Sequence, residues 1–359
     1  MVDHIVLAGG GHTHALLLLR WARHPHLKPK SLITLINRHS TMIYSGMLPG
    51  VISGDYSIEE CQIDLRLLAR QANVSFIVAE INGLNLLDKT LFLEGRPAIR
   101  FSELSLDVGC ETVKPNEKFH CEEDSLIVPI KPFLQAVKWL NRLDDSECQS
   151  SIHPFSVVGS GLASLEIVMA LRKRWPKRTL NLQVKSNQIN QKLEKILKAQ
   201  KINLVIGQDS IKDPALLCTG GSPPSWLRES GLPVDSVGRV LTSNTLQVIG
   251  KTFVFAVGDC GVIKHCFRPP AGVWAVRAAK PLAINLERFT RGLKPIPWKP
   301  QRMALQLVGG PFTSKHSFAL AFFGKLIIGP KAFLWEWKKF IDKRFIKMFK
   351  EVLVMKAQK

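Results

Sequence analysis

The stretch His4–Arg23 reads HIVLAGGGHTHALLLLRWAR and contains three structural signals in succession. The apolar run His4–Ala8 predicts a short strand, Gly9–Gly11 predict a tight turn, and the leucine-rich segment Thr13–Arg23 has no helix breaker. A second buried strand is predicted at Ser31–Ile36, at the distance expected for a parallel strand–helix–strand unit. This arrangement is typical of the first half of an α/β nucleotide-binding domain.

The glycine turn indicates which residues would approach a phosphate. Glycine is needed where φ is positive and where the backbone must come close to a pyrophosphate at a helix N-terminus. Gly9 and Gly11 occupy these positions. The third glycine of the GxGxxG pattern would fall at position 14, where the chain has His14, and Asn37 replaces the acidic residue that usually ends the second strand. Alone, such a turn is a weak signal, because many nucleotide binders share it.

A second strand–turn–helix unit follows about 150 residues later. The strand Phe155–Val158 enters Gly159–Gly161, a helix is predicted from Leu165 to about Arg174, and Leu180–Val184 is the next strand. Two such units in tandem predict binding of two dinucleotides.

Two interpretations of the second strand–turn–helix unit stay open. Ser164 is small enough to replace the third glycine, and Glu166 lies on the helix behind the turn. After the next strand come Lys185 and Ser186 with no acidic residue, which favours NADPH over NADH or indicates a degraded site. The interval 204–218 leaves room for one strand and its return, so the sequence also allows a degenerate pyridine-nucleotide site.

The charge of the chain is strongly basic and unevenly distributed. Forty-nine basic and 29 acidic side chains give a net charge of +20, which predicts attraction to a polyanion. From Leu286 to the end there are 16 basic and 4 acidic residues, so +12 of this charge lies in the last fifth of the chain. Phe333 to Met355 predicts a basic amphipathic helix, which would pack on the body, on a second subunit in a homodimer, or on an anionic membrane surface. No nucleic-acid recognition motif accompanies the charge, so no nucleic-acid partner is predicted.

The spacing of the cysteines, the histidines and the apolar segments argues against several classes of protein. The seven cysteines are scattered without CxxC pairs, which argues against a disulfide framework and a structural zinc site. His12 and His14 lack a third ligand at suitable spacing, so no metal site is predicted. The N-terminus has no basic region before its first strand, and the most apolar late stretch is interrupted by lysine, glycine and proline. We therefore expect a cytoplasmic protein and leave open a peripheral position on the inner membrane face.

Several motifs together resemble one known family. They are GGGHTH (9–14), YSGMLPG (44–50), IDL (63–65), LCTGG (217–221), FAVGD (255–259) and RPPAGVWAVR (268–277). In this order they resemble the FAD-dependent pyridine nucleotide-disulfide oxidoreductase superfamily, type II NADH dehydrogenase-like branch. Within it, the chain is most similar to the flavoprotein domain also found fused to selenide, water dikinase. The likeness covers essentially the whole chain.

The resemblance implies an α/β fold with two Rossmann-like domains of the glutathione reductase type. The FAD domain would be discontinuous, and a C-terminal α/β segment would end in the basic amphipathic helix. The implied division is 1–145 for the first part of the FAD domain, 151–218 for a short NAD(P)-binding-like domain, 219–290 for the second part of the FAD domain, and 291–359 for a C-terminal interface or membrane-associating segment.

The resemblance also assigns site residues. FAD would be held by Gly9, Gly10, Gly11, His12, Asn37, Arg38, Gly258, Asp259, Ala271, Gly272 and Val273. Tyr44, Ser45, Gly46 and Pro49 would face the flavin. NADH or NADPH would bind at Gly159, Gly161, Ser164, Glu166 and Gly220. The resemblance implies no covalent catalyst and no metal.

The implied activity is that of an FAD-dependent NAD(P)H oxidoreductase. The 44–50 loop contains no cysteine, which excludes a dithiol relay at the position where the disulfide-containing branch has one. Electrons would therefore pass from the flavin directly to a quinone or another small acceptor. The alternative is an FAD-binding accessory or regulatory protein linked to selenium metabolism, with a degenerate NAD(P) site.

Overall fold

The computed structural model describes residues 3–113, 126–145, 153–186, 189–207, 211, 213–312 and 317–355. Two of the seven cysteines, Cys121 and Cys148, lie outside the described residues, as does Asn187, which follows Lys185 and Ser186 after the second strand of the second unit. The helices are His12–Arg23, Leu48–Ile52, Leu65–Gln71, Phe133–Asp145, Leu162–Arg174, Gln191–Ala199, Trp226–Glu229, Gly272–Thr290 and Ala332–Met355. Single 3₁₀ turns occupy Pro25–Leu27, Ser45–Met47, Glu59–Cys61 and Gly258–Cys260.

An eight-stranded sheet combines segments from both ends of the chain. Its strands, in spatial order, are Gly261–Ile263, Val240–Thr242, Gln247–Val248, Lys251–Ala256, Glu103–Leu106, His4–Ala8, Leu32–Asn37 and Ser75–Val78. The strands before residue 107 and those after residue 239 thus form one sheet, as the expected discontinuous domain requires. Two antiparallel excursions leave it, consisting of Thr41–Ile43 with Gln62–Asp64, and Ile81–Asn85 with Thr90–Leu93 and Arg96–Arg100.

The central strands of this sheet are buried on both faces. Side chains alternate across a strand, so Ile5 and Leu7 enter the larger hydrophobic core while Val6 and Ala8 enter a smaller core on the opposite face. A continuous apolar run is what a parallel strand covered on both faces requires. This explains why His4–Ala8 is uniformly apolar after its first residue.

A second, five-stranded parallel sheet contains the second glycine turn. Its order is Ile127–Pro129, Ala215–Leu217, Phe155–Val158, Leu180–Val184 and Ile202–Ile206. The strand Ile127–Pro129 pairs with Ala215–Leu217, although it precedes the expected start of this domain at 151. Backbone pairing therefore places an earlier segment in this sheet, and the sheet is larger than the interval 151–218 alone implied. A two-stranded antiparallel ladder of Glu111–Thr112 with Gly221–Ser222 also lies outside both sheets.

The C-terminal segment forms a small layer of its own. Strands Gln306–Phe312, Ser317–Phe323 and Leu326–Lys331 make an antiparallel sheet, followed by the C-terminal helix Ala332–Met355. The sheet packs on the helix Leu162–Arg174, and the C-terminal helix packs on the sheet and on helices of the first domain.

The C-terminal helix has two apolar surfaces where the sequence predicted one. Its buried apolar residues are Leu334, Trp335, Phe345, Ile346, Phe349 and Val352. Phe333, Trp337, Phe340 and Ile341 are exposed by 62%, 43%, 59% and 41%, and we call them the aromatic patch. Lys338, which a basic amphipathic helix would place among its solvent-facing lysines, is instead 8% exposed on the buried surface, where it forms ion pairs with Glu166 and Asp342. Among the described residues, no helix is long and apolar enough to cross a membrane.

Candidate functional site

Three parallel strands bring distant parts of the chain to one edge. Leu106 pairs with Ala8 on one side and with Ala256 on the other. The carboxyl ends of parallel strands meet at the same edge of a sheet, where ligands bind in open α/β folds. The first glycine turn (Gly9–Gly11), Asp107 and the Gly258-Asp259 pair therefore emerge side by side.

Asp107 touches both glycine segments at this edge. Gly9 and Gly258 have φ of +90° and +65°, values that favour glycine. A Cβ atom at Gly9 would collide with the Asp107 backbone, and one at Gly11 or Gly258 would collide with its carboxylate. The two segments predicted to hold one cofactor thus converge on a single buried side chain.

The carboxylate of Asp107 caps the first helix. Its Oδ2 accepts a hydrogen bond from the backbone N–H of His14 at 3.0 Å. The residue is 3% exposed, and burial raises its pKa to about 7, with the nearby Asp259 charge adding to the effect. The sequence analysis missed Asp107, although an aspartate that ends a buried strand before Gly109 (φ +71°) is a recognisable signal.

His14 occupies the position of the third glycine in the GxGxxG pattern. Its ring is fully buried between the carbonyl oxygen of Gly9 at 2.6 Å and the hydroxyl of Ser105 at 2.8 Å. Burial lowers its pKa to about 4, so the ring is neutral at pH 7. A neutral ring whose Nδ1–H donates to Gly9 can accept from Ser105 through Nε2. The histidine therefore fastens the turn to the neighbouring strand and is not arranged as a metal ligand.

Asn37 and Arg38 have different surroundings. The Asn37 side chain accepts a hydrogen bond from the Gly10 N–H at 2.9 Å and donates to the His39 carbonyl at 2.8 Å. Asn37 thus orders the first glycine turn. The Arg38 guanidinium pairs with Glu80 at 3.1 Å and Glu111 at 3.2 Å on the rim of the site.

Asp259 lies in a charged cluster with two residues that no motif predicted. Its Oδ2 is 3.3 Å from Lys131 Nζ and 3.5 Å from Cys110 Sγ. Burial alone would lower the pKa of Lys131, but the Asp259 charge outweighs it and the pKa is raised. Burial raises the pKa of the Cys110 thiol to about 11, so this cysteine is not a ready thiolate.

The loop 44–50 lies between the first helix and the C-terminal helix. The Tyr44 ring stacks on Phe345 with centroids 4.3 Å apart and meets the His12 ring edge-on at 5.6 Å. A Cβ at Gly46 would collide with the Tyr44 ring. Pro49 is buried in the short helix that ends the loop.

The loop also meets the helix Gly272–Thr290. A Cβ at Gly272 would lie 4.0 Å from Ser45 Oγ. Ala271 precedes this helix without a side-chain cap, which leaves the first N–H groups without that partner. The hydroxyl of Thr13 donates to the Ala275 carbonyl at 2.9 Å and fixes the two helices together. The predicted flavin-facing residues and the helix start Ala271–Val273 are therefore neighbours.

His12 supplies a test of whether a cofactor fits here. Its Nε2 is buried and has no hydrogen-bond partner among the described residues. Burial lowers its pKa to about 4, against an opposing effect of the Asp259 charge. A buried polar atom without a partner is uncommon in a folded protein, and a polar ligand would provide the missing partner. The uncapped start of the helix Gly272–Thr290, the first glycine turn and Asp259 also fit a diphosphate with attached hydroxyls.

A cavity of about 360 Å³ lies at the second glycine turn. A Cβ at Gly159 (φ +149°) would collide with the carbonyl oxygen of Cys218, whereas a Cβ at Gly161 would meet open space. The hydroxyl of Ser164 donates to the Gly161 carbonyl at 2.7 Å. The hairpin between the last two strands closes the other side, through Phe322, Gly324, Lys325 and Ile327.

Glu166 and Gly220 are not among the residues that line this cavity. The carboxylate of Glu166 faces the C-terminal segment, where it accepts from the Gly309 N–H at 2.6 Å and lies 3.6 Å from Lys338 Nζ. The carbonyl of Gly220 accepts from the Val113 N–H at 3.1 Å.

The Glu166–Lys338 contact belongs to a buried network. Lys338 Nζ lies 2.9 Å from Asp342 Oδ2 and donates to the Gly46 carbonyl at 2.7 Å, and the Tyr44 hydroxyl donates to Asp342 Oδ1 at 3.2 Å. Burial raises the pKa values of Glu166 and Asp342 against the opposing effect of Lys338. The two carboxylates raise the pKa of Lys338 although burial alone would lower it.

The described residues contain no group of three or more His, Cys, Asp or Glu side chains that could hold a metal ion. The described cysteines Cys61, Cys110, Cys218, Cys260 and Cys266 are free thiols.

The comparisons with known proteins agree with this geometry. No protein-family model matches the chain. The chain is 20% identical to the NADH dehydrogenase-like protein YutJ of Bacillus subtilis over 342 residues, covering 88% of this chain and 92% of the relative. The structure matches the sulfide:quinone oxidoreductase of Aquifex aeolicus with a TM-score of 0.78 and 16% identity, over 98% of this chain and 92% of the other. It matches NDH2 of Plasmodium falciparum, solved in complex with NADH, with a TM-score of 0.69 and 14% identity over 99% and 98% of the chains.

The chain has the fold that these two solved oxidoreductases share. The predicted resemblance, including the type II NADH dehydrogenase-like branch, is confirmed. The predicted α/β fold class is confirmed. The predicted oxidoreductase class and the cofactors FAD and pyridine nucleotide agree with the relatives and solved structures that the chain matches. The assignments of individual residues remain predictions that the geometry now makes specific.

Proposed function

We propose that this protein oxidises NADH or NADPH through bound FAD and passes the electrons to a quinone or a similar small acceptor. The observation that carries the proposal is the convergence of the first glycine turn and Gly258-Asp259 on Asp107. A turn suited to a diphosphate and a carboxylate suited to hydroxyl groups would then lie at one edge of the sheet, as binding of a single extended dinucleotide requires.

FAD supplies the hydride and electron transfer chemistry when it is bound, and the protein positions it. Gly9–Gly11 and the N–H groups of the first helix would bind its diphosphate. Asp259, held by Lys131, would accept hydrogen bonds from hydroxyl groups. The helix start Ala271–Val273 would direct its N–H groups and the positive end of its dipole at the electron-rich edge of the ring system. On the same side, FAD would give a hydrogen-bond partner to the buried Nε2 of His12, which has none among the described residues.

The cavity at the second glycine turn is the proposed site of the pyridine nucleotide. Open space at Gly161 allows close approach of a phosphate to the backbone. Lys325 on the closing hairpin adds positive charge to a cavity whose lining residues include no acidic side chain. This charge favours NADPH over NADH.

A buried chain of groups would supply protons to the acceptor. Reduction of a quinone consumes protons as well as electrons. Tyr44, Asp342, Lys338 and Glu166 are linked by hydrogen bonds or ion pairs beside the Gly46 carbonyl. The raised pKa values of Glu166 and Asp342 favour the protonated form of each carboxyl group relative to one in water, in the direction that a proton donor requires.

The positions and state of the cysteines are consistent with direct electron transfer from the flavin to the acceptor. The loop 44–50 has no cysteine, and the free thiols of the described residues form no disulfide. Electrons would therefore reach the acceptor without a dithiol intermediate. The aromatic patch, with lysines on both sides, would dock the protein on the membrane surface in which a quinone dissolves.

One observation favours the alternative of an accessory flavoprotein. Glu166, expected on the nucleotide side, is engaged by Lys338 and Gly309 away from the cavity. A protein of this kind would retain FAD without oxidising pyridine nucleotides, and its connection to selenium metabolism is part of that alternative.

The visible spectrum of the purified protein tests the proposal and its alternative. We expect flavin absorbance in the protein as isolated and bleaching of that absorbance when NADPH, or NADH, is added without oxygen. A yellow preparation that neither nucleotide bleaches would support the accessory role. A preparation that is colourless and does not bind added FAD would contradict both.

A further inference from the structure

A surface cleft far from the candidate site is lined by four cationic side chains. It measures about 530 Å³ and lies where the strands Leu32–Asn37 and Ser75–Val78 begin, whereas the first glycine turn lies at the opposite end of the sheet. None of its lining residues is acidic. We call it the basic cleft, and its cationic lining residues are Lys28, Lys30, Arg66 and Arg70.

The cations of the basic cleft are not balanced within the protein. In the part of the chain that the structure describes, Lys30, Arg66 and Arg70 form no ion pair. By contrast, Arg38 forms an ion pair with Glu80, and Arg174 forms one with Asp144. A cleft with four like charges and no counter-charge favours binding of an anion.

The helix Leu65–Gln71 places two of these charges unfavourably for its own stability. Arg66 and Arg70 are four residues apart, so their like charges share one helix face and destabilise it. Arg70 lies in the last turn, where a cation interacts well with the helix dipole, but Arg66 lies in the first turn, where it does not. Helix stability therefore explains Arg70 and leaves Arg66 without a structural reason.

Lys28 contributes a partly buried amine to the same cleft. Its Nζ donates to the Pro29 carbonyl at 3.3 Å, and burial lowers its pKa. The charged groups that line the cleft beside it are Lys30, Arg66 and Arg70, all of one sign. A bound anion would compensate the desolvation of this amine.

We propose that the basic cleft binds a ligand carrying two or more phosphate groups. Arginine guanidinium groups match phosphate oxygens in a bidentate geometry, and lysines add charge. Ser31, Asn73 and Ser75 supply neutral donors. Phe76 and Leu32, the latter 49% exposed, offer apolar surface to the organic part of such a ligand. A free polyphosphate and a phosphorylated lipid headgroup share this chemistry.

Titration of the flavin-loaded protein with inorganic pyrophosphate tests the proposal. The pocket variant is Arg66→Gln with Arg70→Gln, and the matched control is Arg96→Gln with Arg100→Gln, which removes the same charge from an exposed strand of a different sheet. We expect the pocket variant to bind pyrophosphate about tenfold more weakly than the control, because it loses two charge-assisted contacts. Lys30→Gln, in an exposed loop, is a second variant that should weaken binding in the same direction.

Vesicles identify the source of the phosphate. Sedimentation with phosphatidylcholine vesicles, with and without phosphatidylinositol 4-phosphate, whose headgroup carries two phosphate groups, is compared for the pocket and control variants. Weaker pyrophosphate binding together with weaker vesicle binding supports the proposal with a lipid headgroup. Weaker pyrophosphate binding alone supports it with a free polyphosphate. Equal pyrophosphate affinity of the pocket variant, Lys30→Gln and the control overturns it.

Discussion

Asp107 shows how one side chain can organise a cofactor site without belonging to a recognised motif. It caps the helix after Gly11, restricts Gly258 to glycine, and lies beside Asp259. An anion this close to a diphosphate site would repel the ligand, and a pKa of about 7 reduces the ionised fraction of this carboxyl group at neutral pH. Binding of a negatively charged cofactor should raise this pKa further.

Replacement of Asp107 by asparagine should change how stability depends on pH. The folded-state pKa of about 7 exceeds the unfolded value of about 3.9, so the folded chain binds this proton more tightly. The resulting stabilisation is full below pH 4 and is lost as the pH rises towards and through 7. Asp107→Asn keeps the acceptor for the His14 N–H and cannot titrate. Thermal unfolding between pH 5 and 8 should therefore decline less in the variant, while Asp88→Asn in an exposed turn should follow the unchanged protein. Identical declines in all three would contradict the role of Asp107.

Loss of the Asp259 carboxylate should remove the flavin. Asp259→Ala deletes the acceptor proposed for cofactor hydroxyls and leaves Lys131 without its carboxylate. A charged hydrogen bond of this kind supports a loss of about tenfold to a hundredfold in FAD affinity. The ratio of flavin to protein absorbance after purification measures this loss, with Asp88→Ala as the control. Full yellow absorbance in the variant would count against the assignment.

At the scale of elements, continuous apolar runs were the most predictable feature. The strand His4–Ala8 matches its predicted bounds because it is buried on both faces and apolar after its first residue. Phe155–Val158 and Leu180–Val184 also match theirs, although polar residues alternate with the apolar ones that fill the core. The strand Ile127–Pro129 escaped prediction because three residues carry too little pattern to assign it to a sheet.

The second domain and the C-terminal hairpin meet at one cavity that local patterns could not reveal. Lys325 lies far along the chain from Gly161, and only the packing of the small antiparallel sheet brings them to the same lining. The glycine turn was predictable because its residues are neighbours in sequence, whereas the closing hairpin depends on tertiary packing alone.

The hairpin should influence the choice of pyridine nucleotide. NADPH carries an additional phosphate, so Lys325→Glu replaces an attraction by a repulsion. We expect KM for NADPH to rise about tenfold or more, and KM for NADH to rise less. Steady-state kinetics with both nucleotides measure the difference. Lys264→Glu, an exposed position remote from the cavity, has the same change in charge and should leave the ratio of the two KM values unaltered. Equal effects of Lys325→Glu on both nucleotides would contradict this selection.

At the scale of the whole molecule, the C-terminal segment connects both domains. In its sheet, the Gly309 N–H donates to Glu166. In its helix, Lys338 donates to the Gly46 carbonyl and Asp342 accepts from the Tyr44 hydroxyl. The sequence predicted the helix but placed Lys338 on the solvent side, because a lysine between apolar residues normally faces water. Burial of this lysine depends on two carboxylates, one of them distant in the chain, and no local pattern indicates that pairing.

This network should matter for acceptors that take up protons. Glu166→Gln retains an acceptor for the Gly309 N–H but removes the carboxylate beside Lys338. Reduction of a quinone should slow by about tenfold to a hundredfold, since it consumes protons, as loss of a general acid does. Reduction of ferricyanide, which takes only electrons, should change little. A parallel fall with both acceptors would indicate a structural effect and contradict the proton route.

The uneven charge of the chain combines with the aromatic patch to predict salt-dependent binding to a membrane surface. The last fifth carries +12 of the total +20, and Trp337 and Phe340 are exposed among these lysines. Apolar side chains enter the headgroup region while lysines attract anionic lipids, and salt screens only the second contribution. Trp337→Ser with Phe340→Ser should therefore reduce sedimentation with anionic vesicles at every salt concentration, whereas the unchanged protein should lose binding gradually as salt increases. Phe92→Ser with Leu87→Ser, exposed apolar residues of another sheet and its turn, provide the control. If the patch variant and the control sediment alike, the exposed aromatic side chains serve a contact other than lipid, and the charge of the segment must be explained without a membrane.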